Sequence, residues 1–594
     1  MNTYFYKKRT FEAYANYSFS TDVHNLTALV GYSFNREDRT WHNASNSGFL
    51  TDIPGANNIG NGTYLEDGLA SMGRGQDESK LIAFFGRINY SYKGKYLFNA
   101  SVRREGSTRF GENHKWGWFP AVSAGWRILE ENFFSDATPL SNLKLRVGFG
   151  ITGNQDIPLY ASIAKYNDLG YAYYNGKWDK VYGPVSNPNP DLKWETTISR
   201  NLGLDFGFLN NRINGSLEIY WNTTKDLLMA VPVDNTTGYS YQFQNFGKTS
   251  NRGIELSLNF DVINKGDFRF NIGAIYNYNR NKLDELPNAD QYLYSSYWGS
   301  SSLVPTNDYM FVEGKAIGLV RGFVSEGFYT VNDFRYENGQ YILKEGIPDI
   351  TKALTATYMH PFNIPNGQTA FPGAAKFRDV NNSGTVDLDD ATCLGEVMPR
   401  HTGSFQLNFN YKNFDLSSNF NWTAGGKVYN VAAMINASGQ EFDGIGAQRT
   451  SWVADTYKVY NVNSSGDLYA VTDPNELNAL NANAKYHLPY HQSGITSSEW
   501  LEDGSYLRLQ TLTLGYTLPH TVLNKIHIEK LRIYLTATNL FTITGYSGID
   551  PEVNATPTGQ SGFYSNLRVF PTLNMDFGTY PRARTFTLGA NITF

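Results

Sequence analysis

The chain has a single cysteine, Cys393, so an internal disulfide framework is excluded. It has no run of about 18 apolar residues, which excludes a transmembrane helix. The first residues, MNTYFYKKRT, contain no apolar core of a signal peptide. An exported protein would therefore have its true start upstream of Met1. Charge is scarce too, at 18% of residues with a net of −5. No lysine or arginine stripe stands out, so nucleic acid is not an expected partner. Linkers, charge blocks and low-complexity tracts are missing from end to end.

Aromatic residues, by contrast, are abundant: 15% of the chain, with 41 Tyr and 38 Phe. So much Tyr and Phe with so little charge is unusual for a soluble globular protein. Alternation of apolar and polar residues recurs along the whole length, in segments of about ten residues. HNLTALVGYSF places Leu26, Ala28, Val30, Tyr32 and Phe34 on one face. RNLGLDFGF does so with Leu202, Leu204, Phe206 and Phe208, and RGIELSLNF with Ile254, Leu256, Leu258 and Phe260. The last ten residues, TFTLGANITF, alternate in the same way from Phe586 to Phe594. Helical periodicity is rare, and the expected class is all-β.

About 15 strands are expected, near 10–20, 24–37, 80–92, 95–106, 117–130, 142–152, 195–209, 212–227, 250–263, 268–282, 401–413, 415–429, 504–518, 530–544 and 584–594. Their connections are expected to alternate strictly. Short ones include YKGK at 92–95, LNNR at 209–212, NKGD at 264–267 and KNF at 412–414. Long ones fall near 38–79, 153–194, 283–400, 430–503 and 545–583. Outer-membrane barrels place long loops outside and short turns in the periplasm. The apolar faces would meet lipid and the Thr, Ser, Asn, Asp, Arg and Gly faces a watery lumen. Since lipid offers no hydrogen bonds, a spanning sheet has to close into an antiparallel transmembrane β-barrel. Trp126, Phe149, Trp221, Tyr278, Trp422 and Tyr516 are candidates for interfacial aromatic girdles. An odd strand count conflicts with the even number in bacterial single-chain barrels. At least one further strand is therefore expected before Met1.

Several stretches resemble the barrel of SusC/RagA-type TonB-dependent transporters. They are LKLRVGFGITGNQDIPLY (143–160), SYLRLQTLTLGYTLP (505–519), LRIYLTATNLFTITGYSGIDPE (531–552) and YPRARTFTLGANITF (580–594). KYLFNASVRREGSTRFGENHKWGWFPAVSAGWRI (95–128) fits as well, as does AIGLVRGFVSEGFY (316–329) followed by KFRDVNNSGTVDLDDATCLG (376–395). The resemblance implies an outer-membrane location and a plugged barrel of about 22 strands. Residues 1–594 would then be its C-terminal part, without signal peptide, TonB box, plug or first strands. It further implies import of oligosaccharides or peptides, a SusD-like surface lipoprotein as lid, and TonB acting through the N-terminal part. A plugless passive pore or surface adhesin from a truncated gene is the alternative.

Three kinds of residue stand out for function. DVNNSGTVDLDD, inside the loop segment 371–400, follows the register of a twelve-residue calcium loop. Asp379, Asn381, Ser383, Thr385 (by its carbonyl), Asp387 and Asp390 would supply oxygens to a structural Ca²⁺. Aromatic loop clusters YAYYNGKW (171–178), DQYLYSSYW (290–298), YHLPYHQ (486–492) and FYSNLRVF (563–570) suit substrate or partner contact. Tyr173, Trp178, Tyr297 and Trp298 are the candidates named from them. Phe594, at the end of an apolar strand, is the expected signal for outer-membrane assembly. For catalysis there is little: the nine histidines form no HExxH, and no phosphate-binding glycine loop is recognisable. The chain is not expected to be an enzyme or to carry any other cofactor.

Overall fold

The computed structural model describes every residue except 52, 54–57, 135–137, 240, 288–290, 295–302, 356–359, 439–453, 489–493, 524–527, 554–572 and 577. Fifteen strands form one sheet in strict chain order. They are β1 (Asn2–Ser20), β2 (His24–Ser45), β3 (Ser71–Tyr92), β4 (Tyr96–Ser107) and β5 (Trp116–Arg127). β6 (Leu140–Asn154), β7 (Glu195–Phe208), β8 (Ile213–Lys225), β9 (Lys248–Lys265) and β10 (Phe268–Glu285) follow. The last are β11 (His401–Tyr411), β12 (Phe414–Ala424), β13 (Tyr506–Thr517), β14 (Lys530–Thr544) and β15 (Thr585–Thr593). The number and the sites match the expectation from alternation.

Two compact units divide the chain: Met1–Asn211 with Ser216–Arg252, and Arg212–Gly215 with Gly253–Phe594. In the first, the apolar face is continuous across strands. Phe11 lies opposite Phe34, and Phe34 opposite Ile82; Tyr32 lies between Ala13 and Phe84. These side chains stay open to the surroundings, with Phe11 60% and Val30 63% exposed. Such exposure would be costly in water but suits lipid. The opposite face carries Thr27, Ser33 and Asn89.

In the second unit, Phe270 stacks on Phe409 with ring centroids 4.0 Å apart, and Phe405 on Phe420 at 4.5 Å. β13 interrupts the alternation: Leu507 and Leu509 are out of phase with Leu512 and Leu514. A bulge at Gln510 absorbs the extra residue, so all four leucines share one face. β15 pairs with β14 and sets Phe586, Leu588, Ala590 and Ile592 against Ala537, Leu535, Ile533 and Leu531. On its other face, the Tyr534 ring comes within 2.4 Å of the point where a Cβ at Gly589 would stand. Only glycine allows that cross-strand approach.

Two features depart from the reading of the sequence. The strict alternation of connection length fails at three places. Residues 108–115 make a short connection on the long side, while 128–139 and 518–529 are extended on the short side. Both extended ones have turns of their own, Ile128–Glu130 and His520–Leu523. Glu131 holds the first by accepting from Tyr96 Oη (2.6 Å) and Trp126 Nε1 (3.0 Å). The second departure is length: β1, β2 and β3 reach 2, 45 and 71 rather than 10, 37 and 80. Charges break the apolar alternation there, yet the ladder continues through cross-strand pairs such as Lys8–Glu37 (3.4 Å).

A charge placed on the lipid face should therefore be penalised and one on the other face tolerated. Val30→Arg is expected to destabilise the barrel in vesicles by about 2–4 kcal/mol, and Asn16→Arg, on the opposite face, by clearly less. Urea titration of the refolded protein measures both.

Candidate functional site

The polar face of the first unit is built as a network of amides and ions. Asn89 donates to Thr27 Oγ1 (3.0 Å) and accepts from the Asn99 amide. Arg146 sits between two carboxylates: Nη2 is 2.9 Å from Asp205, and Nη1 is 3.3 Å from Glu218. Asn201 also donates to Glu218, at 2.9 Å. A recess of 390 Å³ lies along this wall, reached by Asn25, Asn99, Ser123, Lys144 and Arg146. Its Asn, Ser, Lys and Arg side chains supply donors and acceptors beside apolar lining from Leu97, Phe98 and Val147.

The long connections fold as packed bodies. In the first unit, Phe110, Phe119, Ile157, Ala161, Leu192 and Trp194 form a core. Phe110 and Trp194 ring centroids are 4.9 Å apart. Gly111 lets two connections meet: its N–H donates to Leu192 O at 3.1 Å. A Cβ there would stand 1.6 Å from Pro190 O.

In the second unit, residues from 286–400 and 425–505 share a core around Phe323, Tyr329, Tyr341, Phe371, Val386 and Leu477. Its tyrosine hydroxyls donate to backbone carbonyls, Tyr329 to Pro348 O (2.6 Å) and Tyr341 to Thr472 O (2.8 Å). Burial therefore costs them no hydrogen bond. Arg508, at the start of β13, fastens the connection between β14 and β15. It reaches Asp550 (2.5 Å), Glu552 (2.8 Å) and Thr542 Oγ1 (3.0 Å) while itself almost fully buried. None of these anchors was singled out from sequence. Only GYSGIDPE hinted at one, by setting carboxylates two residues apart.

The calcium-loop segment has a definite geometry. Asp379 accepts from the N–H groups of Ser383 (3.1 Å) and Gly384 (2.7 Å), and Asn381 from Ser383 N–H (2.9 Å). Ser383 Oγ donates to Thr385 O at 2.8 Å, and Asp387 accepts from Asp389 N–H, also at 2.8 Å. Asp390 is fully buried, with one oxygen accepting from Val380 and Asn381 N–H and the other from Asp387 N–H. The twelfth position of a calcium loop normally gives both oxygens to the ion; here both serve the backbone. Among the described residues, no three or more His, Cys, Asp or Glu side chains are grouped to hold a metal ion.

Tyr173 and Trp178 do come together. They are directly opposed on the hairpin Tyr166–Tyr174/Lys177–Pro184, ring centroids 5.4 Å apart and edge-on. Both are more than 60% exposed, as are Tyr166, Tyr171 and Tyr182 on the same hairpin. Tyr297 and Trp298 lie outside the described residues. Within the same cluster Tyr294 is buried against Phe311 (4.9 Å), so that part packs inward. Phe594 follows β15 and is exposed.

The second loop core contains a carboxylate whose ionisation bears on stability. Burial alone raises the Asp333 carboxyl. The Lys376 ammonium at 2.8 Å and the Thr330 N–H at 2.7 Å outweigh it and hold the group below the usual carboxylate range. A depressed carboxyl stabilises above its unfolded value and loses that contribution as pH falls through the folded one. Hydrogen-exchange protection of 330–345 is thus expected to be complete above pH about 4 and to fall below it. Asp333→Asn should flatten this acid-dependent step; an unchanged step would rule out Asp333 as its source.

Comparison with known proteins places this architecture. Residues 1–540 match the family model "TonB dependent receptor-like, beta-barrel". TonB-dependent receptor P3 of Formosa agariphila is 30% identical over 585 residues, covering 98% of this chain and 52% of that protein. TonB-dependent receptor SusC of Bacteroides thetaiotaomicron is 30% identical over 531 residues, or 86% of this chain and 44% of SusC. Among solved structures, the RagAB peptide transporter superposes with a TM-score of 0.73 at 23% identity, over 100% of this chain and 56% of that one. The chain spans about half the length of the curated relatives it matches. Continuous lipid-facing rows, a polar wall and long packed connections are the features that these matches share a name for: the chain belongs to the TonB-dependent receptor-like β-barrel family, of the SusC/RagA type, and is an outer-membrane β-barrel.

Proposed function

We propose that this chain forms the barrel wall of an outer-membrane nutrient importer for oligosaccharides or peptides. A SusD-like surface lipoprotein covers its long loops, and TonB drives uptake through a plug carried by the rest of the protein. The observation that carries this reading is the exposed aromatic surface of the 166–184 hairpin, beside connections already packed around their own cores. Those cores need no further cover, so the rings of Tyr173 and Trp178 are open for a lipoprotein or for a solute. The polar wall around Arg146 suits passage of a hydrated cargo. The solved RagAB relative is described as a peptide transporter, which supports cargo of that size class.

Growth on a sole oligosaccharide or peptide source, with and without TonB, tests the reading in the intact protein. Uptake should vanish without TonB, and a surface lipoprotein should co-purify. Tyr173→Ala with Trp178→Ala is expected to weaken lipoprotein capture or solute retention about tenfold or more. Uptake that persists without TonB would instead indicate a passive pore.

For loop 379–390 we propose a weakly held structural Ca²⁺ at Asp379, Asn381, Ser383, Thr385 and Asp387, with Asp390 ordering the backbone beneath it. Calcium should then protect 371–400 from proteolysis, and Asp379→Ala with Asp387→Ala should abolish the protection. Identical cleavage with calcium and with chelator would overturn it.

A further inference from the structure

β1, β2 and β3 are longer than the about 9–11 residues that a tilted strand needs to cross a membrane. Their register stacks the side chains of the lipid-facing side into rows. The last apolar row is Phe11, Phe34 and Ile82. One step nearer the 46–70 connection, the row is Arg9, Arg36 and Lys80, with Arg9 directly opposite Arg36 and Arg36 directly opposite Lys80. Lys7, Asp38 and Glu78 make the row after that.

Like charges directly opposite one another destabilise a sheet, so three adjacent cations call for anions. Asp38 and Glu78 answer in part. Arg36 is 3.0 Å from Asp38 and 2.5 Å from Glu78, Arg9 is 3.5 Å from Asp38, and Lys80 is 2.6 Å from Glu78. The two carboxylates thus serve three cations, and Lys7 makes no ion pair among the described residues. A recess of 360 Å³ opens at this level, lined by Lys7, Arg9, Arg36, Asp38 and Thr40.

The height of the recess is marked independently. Trp116 aligns with the Ile82 row through Gly106, and Trp118 with the Phe84 row through Arg104. Both tryptophans are exposed, and the Arg104 guanidinium lies 4.9 and 5.3 Å from their ring centroids. Exposed tryptophans characterise the membrane–water interface. Long connections mark the extracellular end of such barrels. The cation row therefore stands at the headgroup level of the outer leaflet.

We propose that Lys7, Arg9, Arg36 and Lys80 bind the phosphate groups of an outer-leaflet lipid whose acyl chains lie along Phe11, Phe34 and Ile82. A free phosphate would satisfy the charges but make no use of the apolar row directly beneath. Guanidinium and ammonium groups on a rigid ladder suit phosphate oxygens, and Asp38 holds Arg9 and Arg36 in place.

The test is native mass spectrometry of the intact protein in detergent, titrated with bis-phosphorylated lipid A and with the same lipid after phosphate removal. The phosphorylated form should bind tightly and the dephosphorylated form weakly. Lys7→Gln with Arg9→Gln should weaken binding about thirtyfold, the factor for two surface charges at about 1 kcal/mol each. Lys7→Glu alone should do the same without disturbing an existing ion pair. Lys8→Gln, on the opposite face of β1, should leave binding unchanged. Wild-type affinity in both Lys7 variants would overturn the proposal, as would equal binding of dephosphorylated lipid. Full displacement of the lipid by millimolar inorganic phosphate would also overturn it, by making the site one for the free anion.

Discussion

Everything in this molecule rests on one requirement: a backbone that crosses hydrocarbon must satisfy its own N–H and C=O groups. Pairing each strand with its sequence neighbour meets that requirement with the least loop closure, and the fifteen strands obey it without exception. Once the ladder is set, side chains have two destinations only. One face meets lipid and is paved with Phe, Leu, Ile and Val; the other carries Asn, Thr, Ser and ion networks such as Arg146–Asp205–Glu218. The bulge at Gln510 shows how strongly this partition is held: the backbone deforms before a leucine changes face.

The connections obey a different rule. Outside the membrane they bury apolar groups against one another, as any soluble domain does. The cores around Phe110–Trp194 and around Tyr329–Phe371 exist because residues remote in sequence supply complementary surfaces. Gly111 and the Arg508–Asp550–Glu552 cluster are their fastenings. Rings left outside these cores, on the 166–184 hairpin, are therefore conspicuous, since the described residues provide nothing to cover them.

Between lipid and loops lies a third zone, where the sheet continues but the solvent changes. There β1–β3 exchange apolar rows for charged ones within two residues. The transition is sharp because register carries each strand across the boundary at the same height. A sheet with a fixed register thus turns a one-dimensional change of composition into a row of like charge. That clustering gives this zone its chemistry.

The strands were legible because alternation over ten residues has a single physical reading when helices are absent, and TFTLGANITF displays it as plainly as any segment. Strand ends were not, where charges replaced apolar residues: KKR, RED and DESK look like loop termini but pair across the ladder. Within the 379–390 loop, sequence supplied the oxygens and the turn glycine, while the fold decided that Asp390 faces inward to the backbone. Composition and periodicity by themselves determined an all-β sheet with one lipid face and one polar face, because side-chain direction alternates along any strand without a bulge. Tertiary structure alone decided which loops share a core, which aromatics stay exposed and which cations stand side by side. Those outcomes depend on contacts between residues far apart in the chain, and no local pattern encodes them.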